Sequence, residues 1–361
     1  MSAPRLRRAA QECAVAGVDA VMVGPGADLV YLTGYEALPL ERMTLLVVPA
    51  STEPFLVVPQ LERLRAESFV AGVQIATFSE TEDPIDIVRS RLGSSVGAIA
   101  AGDRLWAMFL LRLQQAFPAA SWRPASGITR RLRMVKDAHE QDALARAGAA
   151  ADRVAASLAG EKVSGRAERE VSRWIAEALV DEGSRRVNFA IVAAGENAAS
   201  PHHEAGDRVI RAGDALVCDF GGTVDGYCSD ITRTFHVGDP TPEFAAMYRV
   251  LFEAQEAGVD AVRAGVAAQD VDGAARAVIA AAGYGERFIH RTGHGIGLEE
   301  HEDPYLVAGN TEPLEEGMAF SVEPGIYLPG RFGARIEDIV VCERDRGRRL
   351  NQAPRELVVL G

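Results

Sequence analysis

The sequence predicts two folded parts. An α/β domain covers residues 1–128, a linker follows at 129–136, and an α+β domain fills residues 137–361. Three observations lead there. Short apolar runs alternate with helical patterns in the first part. In the second part, strands and helices come in blocks rather than in strict alternation. The length of 361 residues, at about 150 per domain, itself suggests two domains.

The elements follow in order. Val18–Val23, Leu45–Val48, Phe55–Val58, Val73–Ala76 and Val96–Ala100 read as strands. Helical patterns fall at Pro84–Leu92 and Arg104–Phe117. The stretch Ser121–Arg133, with Trp122, Pro124, Gly127 and a run of arginines, reads as a break. Asp137 and Glu140 then have capping-box spacing. They open a helix whose apolar positions include Leu144, Ala147, Ala151, Val154 and Leu158. A second helix spans about Arg166–Glu182 and stops at Gly183. Thr241-Pro242-Glu243 supplies an N-cap, an N1 proline and a first-turn acid for a third. A fourth runs near Ala268–Ala282. Strands are expected at Ala190–Ala193, Ala215–Phe220, Ile231–Val237, Ala319–Tyr327 and Ile336–Cys342. Two helices followed by strands, twice, hint at an internal repeat.

Composition excludes several classes. Acidic residues number 51 against 38 basic, a net charge of −13, which is the wrong sign for a nucleic-acid or anionic-membrane binder. The basic N-terminus has no apolar core behind it and does not read as a signal peptide. No apolar run approaches the roughly 20 residues of a membrane span. The four cysteines, Cys13, Cys218, Cys228 and Cys342, form no CxxC pair and read as small buried hydrophobes of a reduced, cytoplasmic chain.

The chemistry-bearing residues lie in the second part. Five of seven histidines cluster: His202 with His203, and His290 with His294 and His301. His139 and His236 read as ordinary surface or core residues. Asp219 lies in the apolar run Leu216-Val217-Cys218-Asp219-Phe220, and Asp230 opens the next strand. A hairpin centred near Val224-Asp225-Gly226 sets the two carboxylates opposite each other. Glu323 and Glu337 repeat the arrangement about a centre at Gly330. Facing acids destabilise a sheet, and buried unpartnered ones do so more strongly. A pair of divalent cations is the simplest remedy. His294, in Gly293-His294-Gly295-Ile296-Gly297, is the fifth ligand. Its glycines permit close backbone approach. One imidazole and four carboxylates favour a hard ion such as Mn²⁺, with Co²⁺, Zn²⁺ or Fe²⁺ open, and the lack of cysteine argues against structural zinc.

From about Leu132 onward, this pattern resembles the metallopeptidase family of methionine aminopeptidase, aminopeptidase P and prolidase, whose catalytic fold is the pita-bread fold. The first domain looks like the creatinase-type domain that precedes it in prolidases and aminopeptidases P. The resemblance implies that Asp219, Asp230, His294, Glu323 and Glu337 hold two metal ions, with Asp230 and Glu337 bridging. It places the family's outer histidines at His202, His290 and His301. Arg335 matches the arginine of the prolidase and aminopeptidase P branch, and His203 occupies a variable position.

The expected roles follow. Glu323 takes and returns the proton of the attacking water. His202 and His301 hydrogen-bond the carbonyl oxygen or tetrahedral intermediate. Arg335 holds neighbouring carboxylates. Tyr227 and Tyr327 read as packing residues. The implied reaction is hydrolysis of Xaa-Pro bonds, with a dipeptidase preferred. Aminopeptidase P activity on longer peptides, small-amide hydrolysis and a catalytically idle binding module are the alternatives. A homodimer and a proline-containing di- or oligopeptide substrate are the implied partners. A dipeptidase also needs a cation for the carboxylate behind the proline.

Overall fold

Burial of alternating apolar runs builds the first sheet. A computed structural model describes residues 2–93 and 95–361. The chain divides into two units, residues 1–133 and 134–361. In the first, six strands lie in the spatial order Gln74–Phe78, Phe55–Pro59, Leu45–Pro49, Ala20–Val23, Ala98–Ala101, Ser121–Pro124. Leu45–Pro49 is antiparallel to both neighbours, and the remaining pairs are parallel. Met22, Leu45, Val47, Val57, Ile99 and Leu113 belong to its core. The central strands are buried along their whole length, so they read as continuous apolar runs.

Two parts of this unit differ from expectation. Helices Ser2–Ala16, Ala27–Thr33 and Arg63–Phe69 had no counterpart in the sequence reading. The expected break and linker instead form a strand, Ser121–Pro124, and a helix, Ser126–Met134. The strand is at the sheet edge, where Pro124 is tolerated. The helix buries only a narrow stripe, with Ile128 and Leu132 four residues apart among arginines.

The second unit is built from helices Ala138–Leu158, Glu168–Asp181, Pro242–Ala261 and Ala268–Ala281 around strands. The Asp137–Glu140 capping box and the Thr241 N-cap both form. One sheet carries Val358–Leu360, Ile231–Val237, Ala215–Val224 and Arg186–Ala194 in that order, with Tyr227–Cys228 beside Ala215–Val224. The other carries Glu302–Leu306, Gly293–Gly295, Ala319–Val322, Asp338–Cys342 and Gly347–Arg349. The internal repeat is visible in the helices. Glu168–Asp181 lies between Gly165 and Gly183, and Ala268–Ala281 between Gly265 and Gly283, all four glycines at positive φ. Ala167 bridges Val209 and Ala267 bridges Pro313, each just ahead of its helix.

The expected single strand Ala319–Tyr327 is two strands. Ala319–Val322 pairs in the five-stranded sheet, while Gly325–Leu328 forms a ribbon with Phe332–Arg335. Glu323-Pro324 makes the break, since proline has no N–H to offer the ladder.

Candidate metal centre

The first hairpin closes through Asp225 and Gly226, at φ 52° and 84°. Both central residues of such a two-residue turn need positive φ. The turn shifts the expected register. Asp219 pairs with Thr232, and Ile231 with Phe220. Asp219 and Asp230 are therefore diagonal neighbours on one face rather than directly opposed. The second hairpin keeps the expected register: Val322 faces Asp338 and Gly325 faces Arg335, which leaves Glu323 and Glu337 at facing positions between them. There the ladder opens. The Glu323 N–H donates to Thr292 O, and the Glu337 N–H to Thr232 O.

These segments bring the acids around His294. One ligand atom each from Asp230, His294 and Glu337 lies within 4.8 Å of the others. His294 Nε2 is 3.2 Å from Glu323 Oε1 and 3.7 Å from Asp230 Oδ2. His294 Nδ1 lies 3.1 Å from Gly295 O, so it carries the proton and donates there. The Nε2 atom then faces two carboxylates, an arrangement that calls for a cation between them. The glycines around His294 serve the protein's own backbone. A Cβ at Gly293 would strike Ser321 O, and one at Gly295 would strike Asp303 O.

Asp219 Oδ1 and Glu337 Oε1 are buried without a hydrogen-bond partner. Burial, followed by the charges of neighbouring carboxylates, pushes Asp230 and Glu337 well above the usual carboxylate range. Burial also raises Asp219, against the pull of Arg335. Burial opposes ionisation of Glu323 as well, but His294, His290 and Arg335 overcome it and hold that carboxyl at about 2. The orphaned oxygens and the mutual repulsion fit hard divalent cations, and the donor set is all oxygen and imidazole.

Arg335 is nearly fully buried and fully engaged. It donates to Asp219 Oδ2, from Nε to Thr232 Oγ1 at 3.0 Å and from Nη1 to Tyr327 OH at 3.0 Å. Thr232 Oγ1 donates onward to Glu337 Oε2 at 2.7 Å. Tyr327 continues the chain. His290 Nδ1 donates to Arg291 O at 2.7 Å, which leaves Nε2 to accept from Tyr327 OH at 2.9 Å. Ser321 Oγ accepts from the His294 N–H and donates to Glu323 Oε1, both at 3.0 Å. Thr232, Ser321 and the link through Tyr327 escaped the sequence reading. The corrected register would have exposed Thr232 as the partner of Asp219.

The His301 ring lies 3.9 Å, centroid to centroid, from that of His294. Desolvation, then the charges of His294 and Arg291, lower His301 to about 4. His202 is exposed. His203 belongs elsewhere: its Nε2 is 2.8 Å from the buried Glu168, which also accepts from the Ala194 N–H. His236 packs on Phe244, His139 is exposed and Tyr227 donates to Glu140, so none joins the centre.

Two family models match the chain: Creatinase/Prolidase N-terminal domain over residues 5–135, and Metallopeptidase family M24 over residues 141–344. The Probable dipeptidase PepE of Mycobacterium bovis is 47% identical over 362 residues, covering 99% of this chain and 96% of the relative. The Xaa-Pro dipeptidase of Lactobacillus delbrueckii subsp. lactis is 35% identical over 352 residues, 95% of either chain. The crystal structure of recombinant prolidase from Thermococcus sibiricus matches with a TM-score of 0.94 at 37% identity, over 100% of this chain and 99% of that one.

Proposed function

The chain belongs to metallopeptidase family M24, and on that premise we propose that it hydrolyses Xaa-Pro dipeptides at a two-ion centre held by Asp219, Asp230, His294, Glu323 and Glu337. The observation that carries the reading is the convergence of Asp230, His294 and Glu337 beside the orphaned oxygens of Asp219 and Glu337. Asp219 lies on the Arg335 side, His294 and Glu323 lie together, and Asp230 and Glu337 would hold the ions beside them. Mn²⁺ is the best activator, because four of the five donors are carboxylates. When bound, such ions lower the pKa of water and polarise the scissile carbonyl.

The chain's own groups do the rest. Glu323, ionised at neutral pH and oriented by Ser321, accepts the proton of the attacking water and returns it to the leaving nitrogen. His301 and His202 donate to the oxygen that gains charge in the transition state. Tyr327 orients His290, and Arg335 fixes Asp219 while it orients Glu337 through Thr232. The full-length likeness to proteins named dipeptidase and Xaa-Pro dipeptidase supports a dipeptidase over an enzyme of longer peptides. The four buried free cysteines support a cytoplasmic setting, and the likeness of the first domain to creatinase/prolidase N-terminal domains supports a homodimer. Among the described residues no helix is long and apolar enough to cross a membrane.

The test is turnover of Ala-Pro and Met-Pro against Ala-Ala and Met-Ala in Mn²⁺. A site that reads the proline ring loses apolar contacts with alanine and meets an added N–H donor, worth at least about tenfold in kcat/KM. Equal rates with both ions bound would move the reading to a general dipeptidase or a small-amide hydrolase.

A further inference from the structure

We propose that Asp272 and Arg276, which are not among the proposed metal ligands, are positioning residues of the centre: they hold His290 by its carbonyl and, through Thr292, Glu323 by its amide. The inference deepens the peptidase reading above and rests on it. The two residues lie one turn apart on helix Ala268–Ala281. Segment 288–292, which carries His290 and runs into the His294 strand, joins neither helix nor strand. Its polar backbone groups therefore need partners from outside a ladder.

Asp272 is almost fully buried. Its Oδ1 accepts from the Thr292 N–H at 3.1 Å and from Thr292 Oγ1 at 2.8 Å. Thr292 O in turn accepts the Glu323 N–H at 2.7 Å, so the connection runs unbroken from the helix to the proposed proton carrier. Arg276 grips both oxygens of Asp272, from Nε at 3.0 Å and from Nη2 at 2.8 Å. The same guanidinium donates to Phe288 O at 3.0 Å and to His290 O at 2.8 Å. Its carbon lies 4.1 Å from the centre of the Phe288 ring, and that ring meets the His290 ring edge-on at 5.1 Å. A planar fork bound to one carboxylate and two carbonyls has a fixed geometry that lysine cannot reproduce. The pair is neutral as a whole, so it acts on the centre through placement rather than charge. The first half repeats the device. Buried Glu168, at the start of helix Glu168–Asp181, accepts from the Ala194 N–H at 2.8 Å and from Asn197 Nδ2 at 3.0 Å, and lies 2.8 Å from His203 Nε2, so it holds the chain on both sides of His202.

The test compares Mn²⁺-loaded wild-type, Arg276→Met and Arg276→Lys proteins. Arg276 is partly exposed, and methionine keeps an apolar stem against Phe288. Hydrogen exchange of peptides covering 288–294 and 319–324, kcat and KM on Ala-Pro, and bound Mn²⁺ are measured in each. Arg276→Met should speed exchange in both segments about tenfold, the worth of one or two hydrogen bonds. It should lower kcat roughly 10- to 100-fold with KM and metal content unchanged, and Arg276→Lys should recover part of the loss. Unchanged exchange at 319–324, unchanged kcat, or metal lost in step with kcat would each overturn the proposal. Failure of the Xaa-Pro reading looks different: the wild type then turns over Ala-Ala as fast as Ala-Pro, and the variant-to-wild-type ratio is read on either. If the wild type turned over neither, exchange at 319–324 would decide whether the pair holds Glu323.

Discussion

Replacing Thr232 by valine removes one hydroxyl and keeps the shape of the side chain. Thr232 is fully buried. Its Oγ1 donates to Glu337 Oε2 at 2.7 Å and accepts from Arg335 Nε at 3.0 Å. Valine therefore deprives a carboxylate of a donor and leaves a buried guanidinium N–H without an acceptor. Hydrogen bonds to charged groups are worth about 1.5–3 kcal/mol, and an orphaned buried donor costs about 1–3 kcal/mol. The two effects overlap at one atom, so the expected loss is about 2–4 kcal/mol. In a domain of this size that lowers the melting midpoint by roughly 5–15 °C. Glu337 also loses its orientation toward the metal, and such supporting contacts typically govern about 10- to 100-fold in affinity. The assay is thermal melting of the metal-loaded protein together with Mn²⁺ titration of the stripped protein. Thr232→Ser is the control, because it keeps the hydroxyl and loses only a methyl group, worth about 1 kcal/mol. A valine variant that melts and binds Mn²⁺ like the serine variant would refute the bridging role.

Three further outcomes are expected. Asp219→Asn and Glu337→Gln each abolish turnover and lower bound metal, measured by elemental analysis, while the first unit stays folded. Full activity in chelated, metal-free protein would contradict this. His301→Ala keeps the metals and cuts kcat by about 10²–10³-fold. With His301 lowered to about 4, its neutral ring persists through pH 5–8, so the variant and wild type should share one pH profile there. Above about pH 6.5, where the lowered histidines no longer titrate in either state, the metal-free protein loses stability as pH rises. Asp219, Asp230 and Glu337 bind protons more tightly folded than unfolded, so deprotonation favours the unfolded chain. Melting above that pH should therefore fall further without metal than with it.

What the sequence disclosed followed from strong local signals. The capping box at Asp137 and Glu140, the Thr241-Pro242 start and the buried runs at Leu45–Pro49 and Ile231–Val237 all appear as expected. The acids stood out because they pair across two hairpins, Asp219 inside an apolar strand and Asp230, Glu323 and Glu337 at strand ends. The missed elements were those whose signals are weak or tertiary. Ser126–Met134 buries only Ile128, Leu132 and Met134 as apolar residues among arginines, and Arg63–Phe69 buries only Ala66. The first hairpin register depended on whether the turn centred before or after Asp225, a difference settled by the positive φ of Asp225 and Gly226. Thr232 and Ser321 carry no motif of their own. Their roles exist only because a specific register aims a hydroxyl at a carboxylate.

The two halves of the second unit explain why the centre is also a fastening. Asp219, Asp230 and Thr232 come from the first half, and His294, Glu323, Arg335 and Glu337 from the second. Besides a shared apolar core and the buried Arg233–Asp338 pair, four ties between the halves run through the centre itself: Arg335 to Asp219, Thr232 to Glu337, the Glu337 N–H to Thr232 O, and Arg335 N–H to Thr234 Oγ1. One buried guanidinium faces four carboxylates, and its charge is shared chiefly with Asp219. The remaining acids repel one another across the same seam that the hydrogen bonds close. Bound cations would reverse the sign of that repulsion and add to every tie across the seam, because buried carboxylates that oppose docking then become shared ligands. Metal binding and the packing of the two halves against each other are thus coupled. Substitutions that weaken only the hydrogen-bonded seam, such as Thr232→Val, should accordingly weaken metal affinity even though Thr232 is not itself a ligand.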